Sequence, residues 1–175
     1  MTKRVLLAAV ALTFAGCGES PGTDGGTDCD VAFNSAFADF RTWTSYVHDG
    51  PAPDDGGVHV AGHRTEYLNQ KPPHGSATFP VGTIIVKEVG DLDAGTHHLF
   101  SMVKRGCDFN ANGAKDWEWI EITEAGGAAP HIIWRGVGPP SGEIYGGNPT
   151  SCNGCHQGCS ANDSVCSSMI VLSNY

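Results

Sequence analysis

Across residues 31–47 the apolar positions Phe33, Phe37, Phe40, Trp43 and Val47 recur at spacings of four and three, with Asp39, Arg41 and Ser45 between them. That period predicts one amphipathic helix, ended by Asp49-Gly50-Pro51, with its aromatic stripe packed into the core. Beyond it the pattern shortens. Residues 64–68, 83–89, 99–104, 117–123 and 132–135 are brief runs rich in β-branched or aromatic side chains, each bounded by Gly, Pro, Asn or Asp. They predict strands of an antiparallel sheet.

Two connections stand out. Asp108-Phe109-Asn110-Ala111-Asn112-Gly113 opens like a calcium loop, but its twelfth position is Trp119 where a bidentate Glu is needed, and Glu118 falls one residue early. It reads instead as a hairpin connection in which Asn112-Gly113 supplies positive φ. Residues 136–150 are nearly all Gly, Pro, Ser and Asn around Ile144 and Tyr145, a loop able to wrap closely around a bulky group.

The first residues read as an export leader: Lys3 and Arg4, an apolar run over 5–14, then small residues before Cys17. The run is too short to span a bilayer permanently. Thr13-Phe14-Ala15-Gly16-Cys17 resembles the lipobox of bacterial lipoproteins, which implies cleavage after residue 16 and lipidation of Cys17. Residues 17–28 carry no large apolar side chain and form a flexible tether, so the folded domain is expected over 29–175. The expected location is outside the cytoplasm, periplasmic or outer-membrane associated, with membrane attachment through the lipid alone. With Gly 24, Pro 10 and 17% charged residues among 175, the chain suits one turn-rich domain. Loss of Lys3 and Arg4 with the leader takes the formal charge from −9 to −11. Nucleic acid is excluded as a partner by that sign, and anionic headgroups would repel the chain.

Cys152-Asn153-Gly154-Cys155-His156 matches C-x-x-C-H, the attachment sequence for c-type haem. Two thiols add across the haem vinyl groups, and the adjacent imidazole then reaches the iron. Seven Cys and eight His in this length would produce roughly 0.01 such matches in random order. A zinc knot or iron–sulfur cluster that also used Cys159 and Cys166 is the rival, but both need reduced thiols, which an exported protein does not readily keep. With Cys17 assigned to lipid and Cys152 and Cys155 to haem, Cys29, Cys107, Cys159 and Cys166 remain. Four cysteines permit three pairings; the short loop from Cys159 to Cys166 is easiest to close, which favours that pair and, with it, Cys29 with Cys107. His156 is then the axial iron ligand. For the opposite face the chain offers Met102 and Met169, and His48, His59, His63, His74, His97, His98 and His131; spacing selects none of them.

Phe79-Pro80-Val81-Gly82-Thr83-Ile84-Ile85-Val86-Lys87-Glu88, then Met102-Val103-Lys104, Asp116-Trp117-Glu118-Trp119 and the late Cys152–His156, resemble the cytochrome P-460 family and its relative cytochrome c′-β. Arg41-Thr42-Trp43 and Asn162-Asp163 fit the same pattern, and the likeness covers roughly residues 35–170. It implies an α+β fold, mainly antiparallel β-sheet with flanking helices and unlike the all-α cytochromes c, commonly paired as a homodimer around one covalently attached, five-coordinate haem c per chain. Catalytic members oxidise hydroxylamine and join a lysine to the porphyrin edge; the matching position is Lys87. In cytochrome c′-β the haem binds nitric oxide or carbon monoxide without that bond. The function expected is therefore redox activity toward small nitrogen species, by hydroxylamine oxidation or by nitric oxide binding and detoxification, with a redox partner protein of unknown identity. A six-coordinate electron-transfer cytochrome is the alternative.

On a strand Lys87 and Glu88 point to opposite faces, so whichever face is buried, one of them turns inward. A desolvated lysine becomes the nucleophile that attachment to a macrocycle requires. Asp116 and Glu118 are the carboxylates considered for proton removal, and Phe79 and Phe100 the aromatic rings for an apolar wall.

Overall fold

The computed structural model describes residues 29–48, 63–90, 97–143, 145–146 and 151–175. The leader, the lipidation position Cys17, the tether and His59 lie outside them. Among the described residues six strands form one antiparallel sheet in simple sequential order: β1 (Thr44–His48), β2 (Arg64–Leu68), β3 (Ile84–Val89), β4 (His98–Lys104), β5 (Trp117–Thr123) and β6 (His131–Gly136). The fold is thus a mainly-β α+β arrangement in which the helices among the described residues are all short: 3₁₀ turns and one five-residue α-helix, α1 (Cys152–His156). Among the described residues no helix is long and apolar enough to cross a membrane.

The helix expected over residues 31–47 does not form. Two 3₁₀ turns, Asn34–Phe37 and Phe40–Thr42, lead directly into β1. Phe37 and Phe40 are buried as the stripe requires, but Phe33 and Val47 are 67% and 59% exposed. The reason lies in the second half of the segment. Thr44, Tyr46 and Val47 favour a pleated backbone, and all five residues of β1 pair with β2, Thr44 opposite Leu68 through His48 opposite Arg64. Tertiary pairing overrode a period compatible with a helix.

Alternation divides the sheet into two faces. One carries Tyr67, Ile84, Val86, Leu99, Val103, Ile120 and Ile122, and is covered by Ala32, Phe37 and Phe40 of the N-terminal turns. The other carries Leu68, Ile85, Met102, Trp117, Trp119 and Trp134, and is covered by Phe79, Ala114 and the C-terminal residues Val165, Ile170 and Leu172. Each face is therefore covered by a different end of the described chain. Cys29 is paired with Cys107, with Cα atoms 5.5 Å apart, which ties the N-terminal cover to the β4–β5 connection; Cys159 is paired with Cys166 at 5.4 Å, closing a loop just after α1. These are the two pairs that loop length favoured.

The β4–β5 connection is a long hairpin, but its strained positions differ from those expected. Positive φ occurs at Gly106, Cys107, Asp108, Asn110 and Asp116, not at Asn112 or Gly113. Gly113 is required for another reason: a Cβ there would overlap the side chains of Asn110 and Asn153.

Candidate functional site: a cavity on the C-terminal face of the sheet

Strand register sets the floor of the site. Tyr46, Glu66, Lys87, Phe100, Glu121 and Trp134 occupy one cross-strand row, and Leu68, Ile85, Met102 and Trp119 the next row on the same face. Over these rows lies a cavity of about 660 Å³, mouth included, lined by Glu66, Ile85, Lys87, Phe100, Met102, Trp119, Trp134 and Tyr145 from the sheet side and loop, and by Cys152, His156, Val165 and Cys166 from the C-terminal cover. Aromatic rings dominate its walls: Tyr145 lies 5.6 Å from Phe100, and Trp119 lies 4.4 Å from the His156 ring.

Lys87 turns to this face and Glu88 to the other. Glu88 accepts bonds from Arg41, His97 and Tyr67 at 2.7–2.8 Å. Burial pulls its carboxyl up, but the bonds from Arg41, His97 and Tyr67 outweigh that and hold it below its ordinary value. Glu88 is thereby committed to the N-terminal cover, and Lys87 to the cavity.

His156 ends α1, and its Nδ1 lies 2.8 Å from the carbonyl oxygen of Ser164. A carbonyl only accepts, so Nδ1 carries the hydrogen and Nε2 the lone pair, the arrangement in which histidine ligates metals. Cys152 and Cys155 stay outside both disulfides. Burial pushes the Cys152 thiol up to about 11, which disfavours a thiolate and suits an uncharged sulfur. Cys159 and Cys166, paired with each other, are not available to complete a four-thiolate zinc or iron–sulfur site, and among the described residues no group of three or more His, Cys, Asp or Glu could hold a metal ion. A haem held by two thioethers and one imidazole needs no such group. Of those three donors, Cys152 and His156 line the cavity and Cys155 does not; the chemistry of the set, two uncharged sulfurs and one imidazole, suits a haem.

Asn153 between the two cysteines anchors α1 to the sheet. Its Oδ1 accepts from Asn110 Nδ2 at 2.7 Å, Trp119 Nε1 at 2.8 Å and the Ala114 N–H at 3.2 Å. Its Nδ2 donates to Asn110 Oδ1 and to the Val137 carbonyl, both at 2.9 Å. All the hydrogen-bonding capacity of this amide is used, and the loop that opens like a calcium site serves as its socket.

Several candidates lie elsewhere. Phe79 packs against Trp117 in the core at 6.0 Å, so of the two proposed wall aromatics only Phe100 reaches the cavity. Glu118 points to the opposite face, where Arg135 and Arg105 pair with it, and Asp116 sits in the hairpin. Neither carboxylate lines the cavity. Glu66 does, 3% exposed, bonded by Ser167 Oγ and with His48 Nε2 at 3.3 Å. Sequence reasoning missed it: a lone Glu alternating with Arg64 in a short strand looks like a solvated face, and only register places it beside Lys87. Of the ligands considered for the second iron face, Met102 lines the cavity, whereas among the described residues His63, His74, His97, His98, His131, His48 and Met169 do not.

Comparison with known proteins finds no matching family model, no matching curated protein and no matching solved structure.

Proposed function

We propose that this chain is an exported monohaem c-type protein of the cytochrome P-460 and cytochrome c′-β kind, acting on small nitrogen species. The observation that carries the reading is convergence. Lys87 and Phe100, opposed on neighbouring strands, and Cys152 and His156, brought from more than fifty residues away, line the same cavity. The haem motif, the resemblance that includes it and the apolar wall such a haem needs had pointed to these positions, and all four line one cavity.

In this reading Cys152 and Cys155 hold haem c through thioethers and His156 Nε2 ligates its iron. When bound, the haem supplies an electron-accepting iron at which hydroxylamine, nitric oxide or carbon monoxide can bind. The chain's own residues do the rest. Ser164 O orients the imidazole; Trp119, Trp134, Phe100 and Tyr145 exclude water; Lys87 is the candidate for a third covalent attachment, at the macrocycle edge. Glu66 is the carboxylate able to take a proton from a bound nitrogen substrate, the role first considered for Asp116 and Glu118. The lipid at Cys17 and assembly as a homodimer belong to the same proposal.

The presence of Met102 in the wall favours one second reading, a six-coordinate electron-transfer protein. Expression in a host competent for c-type maturation tests all of this. A coloured protein with thioether-bound haem is expected, with a ferrous spectrum that responds to carbon monoxide. An unresponsive spectrum selects the electron-transfer reading, and a colourless protein refutes both. Intact mass of the haem peptide reports the bond to Lys87.

A further inference from the structure

His156 is oriented by a backbone carbonyl, and a carbonyl is only as well aimed as the backbone that carries it. Ser164 and its predecessor Asp163 both stand at positive φ, 65° and 51°, a conformation that non-glycine residues rarely adopt and that persists only where the surroundings over-determine it. Asp163 supplies that determination. Its Oδ1 accepts a 2.7 Å bond from Lys104 Nζ, its Oδ2 accepts the Phe79 N–H at 2.9 Å, and its main-chain carbonyl accepts the Trp117 indole N–H at 2.6 Å. The ion pair is nearly dry, with Lys104 and Asp163 side chains 6% and 11% exposed. Lys104 Nζ also lies 5.0 Å above the Trp117 ring. From the other side, the Ser164 N–H donates to Cys159 O at 3.0 Å, inside the loop closed by Cys159 and Cys166.

We propose that the buried Lys104–Asp163 pair is the positioning device for His156. It pins residues 163–164 to the sheet, so that Ser164 O selects the Nδ1–H tautomer and leaves the ring's lone pair on Nε2. Neither Lys104 nor Asp163 lines the cavity; both act through His156. Such a pair has little net value for stability, because desolvation offsets the attraction, and its best use is to specify one arrangement over its competitors. Here one carboxylate ties the loop to β4 and to the Phe79 segment, while the same residue's carbonyl ties it to β5. That Nε2 then meets iron rests on the haem reading; that Asp163 sets the tautomer does not.

Histidine ¹⁵N–¹H spectra of the disulfide-intact full chain, taken before haem attachment at a pH where imidazole is neutral, test the inference. His156→Gln assigns the signal. The parent is expected to show His156 as the Nδ1–H tautomer; an Nε2–H parent overturns the proposal at once. Lys104→Met with Asp163→Asn removes both charges and leaves no lone buried ion, so it is the variant able to fold; loss of the His156 Nδ1–H signal is expected. Lys104→Arg, which keeps a cation opposite Asp163, is expected to retain it. In haem-loaded protein the double variant is expected to shift the iron–histidine stretching frequency. A double variant that melts earlier yet keeps the parent His156 signal makes the pair merely structural and refutes the proposal. A colourless parent whose His156 signal responds as described supports the positioning role and removes only the haem reading.

Discussion

Asn153→Ala should be the most damaging single change within the Cys152–His156 segment apart from the cysteines and histidine themselves. Removing the amide deprives three donors of their acceptor: Trp119 Nε1, the Ala114 N–H and Asn110 Nδ2. Trp119 and Ala114 are 4% and 0% exposed, so two of the three cannot turn to water. Each orphaned buried donor costs about 1–3 kcal/mol, and the expected loss is therefore about 2–6 kcal/mol, a large share of the ~5–15 kcal/mol that holds a domain folded. At about 3 kcal/mol the melting temperature falls by roughly 6–12 °C for a chain of this size. Gln157→Ala is the control. It loses one exposed bond to the Asn112 carbonyl and should stay within ~0.5 kcal/mol of the parent. The assay is urea unfolding of the haem-free, disulfide-intact protein, comparing midpoints at constant slope. An Asn153→Ala midpoint indistinguishable from that of Gln157→Ala would refute the claim that this amide seats α1 on the sheet.

Other outcomes follow from the same geometry. By loop entropy the Cys29–Cys107 bridge, 78 residues apart, should contribute about 4.5 kcal/mol and Cys159–Cys166, 7 apart, about 2.4 kcal/mol; paired Cys→Ser variants compared by denaturant unfolding check the order, and the reverse order counts against the entropic account. Because Glu88 is held below its ordinary value of 4.5, its stabilising contribution is fully present above that pH and is lost as pH falls through the lower folded value. Glu88→Gln should flatten that acid limb, measured as unfolding free energy against pH, and an unchanged limb would contradict the assignment. Under the haem reading, Glu66→Gln should slow hydroxylamine turnover by about 100-fold while the carbon monoxide spectrum stays as in the parent; full turnover removes Glu66 from the reaction. Lys87→Ala should leave two thioether bonds in the haem peptide and abolish any third.

Strand identity was written locally. Arg64–Leu68 and Trp117–Thr123 coincide with the runs read from alternation and turn residues, and β3, β4 and β6 differ from theirs by one or two residues at their ends, because β-branched and aromatic residues between turn formers admit few other conformations. The Cys152–His156 pentapeptide was conspicuous for a different reason, its pattern residing in adjacent positions; the haem it implies belongs to the proposal. The segment over residues 31–47 was not, since its period suits a helix until a partner strand competes for the same backbone hydrogen bonds. The contacts of Glu66, Asn153 and Asp163 leave no trace in the residues beside them. Each matters through a contact with a residue tens of positions away: Glu66 through the register that sets it beside Lys87, Asn153 through the Asn110 socket, and Asp163 through Lys104. Sequence by itself determined five of the six strands; β1 emerged only where β2 was there to pair with it. Only the tertiary structure decided which face each strand turns to the cavity, because a shift of one residue in any register would have sent Lys87, Phe100 or Trp119 to the opposite side.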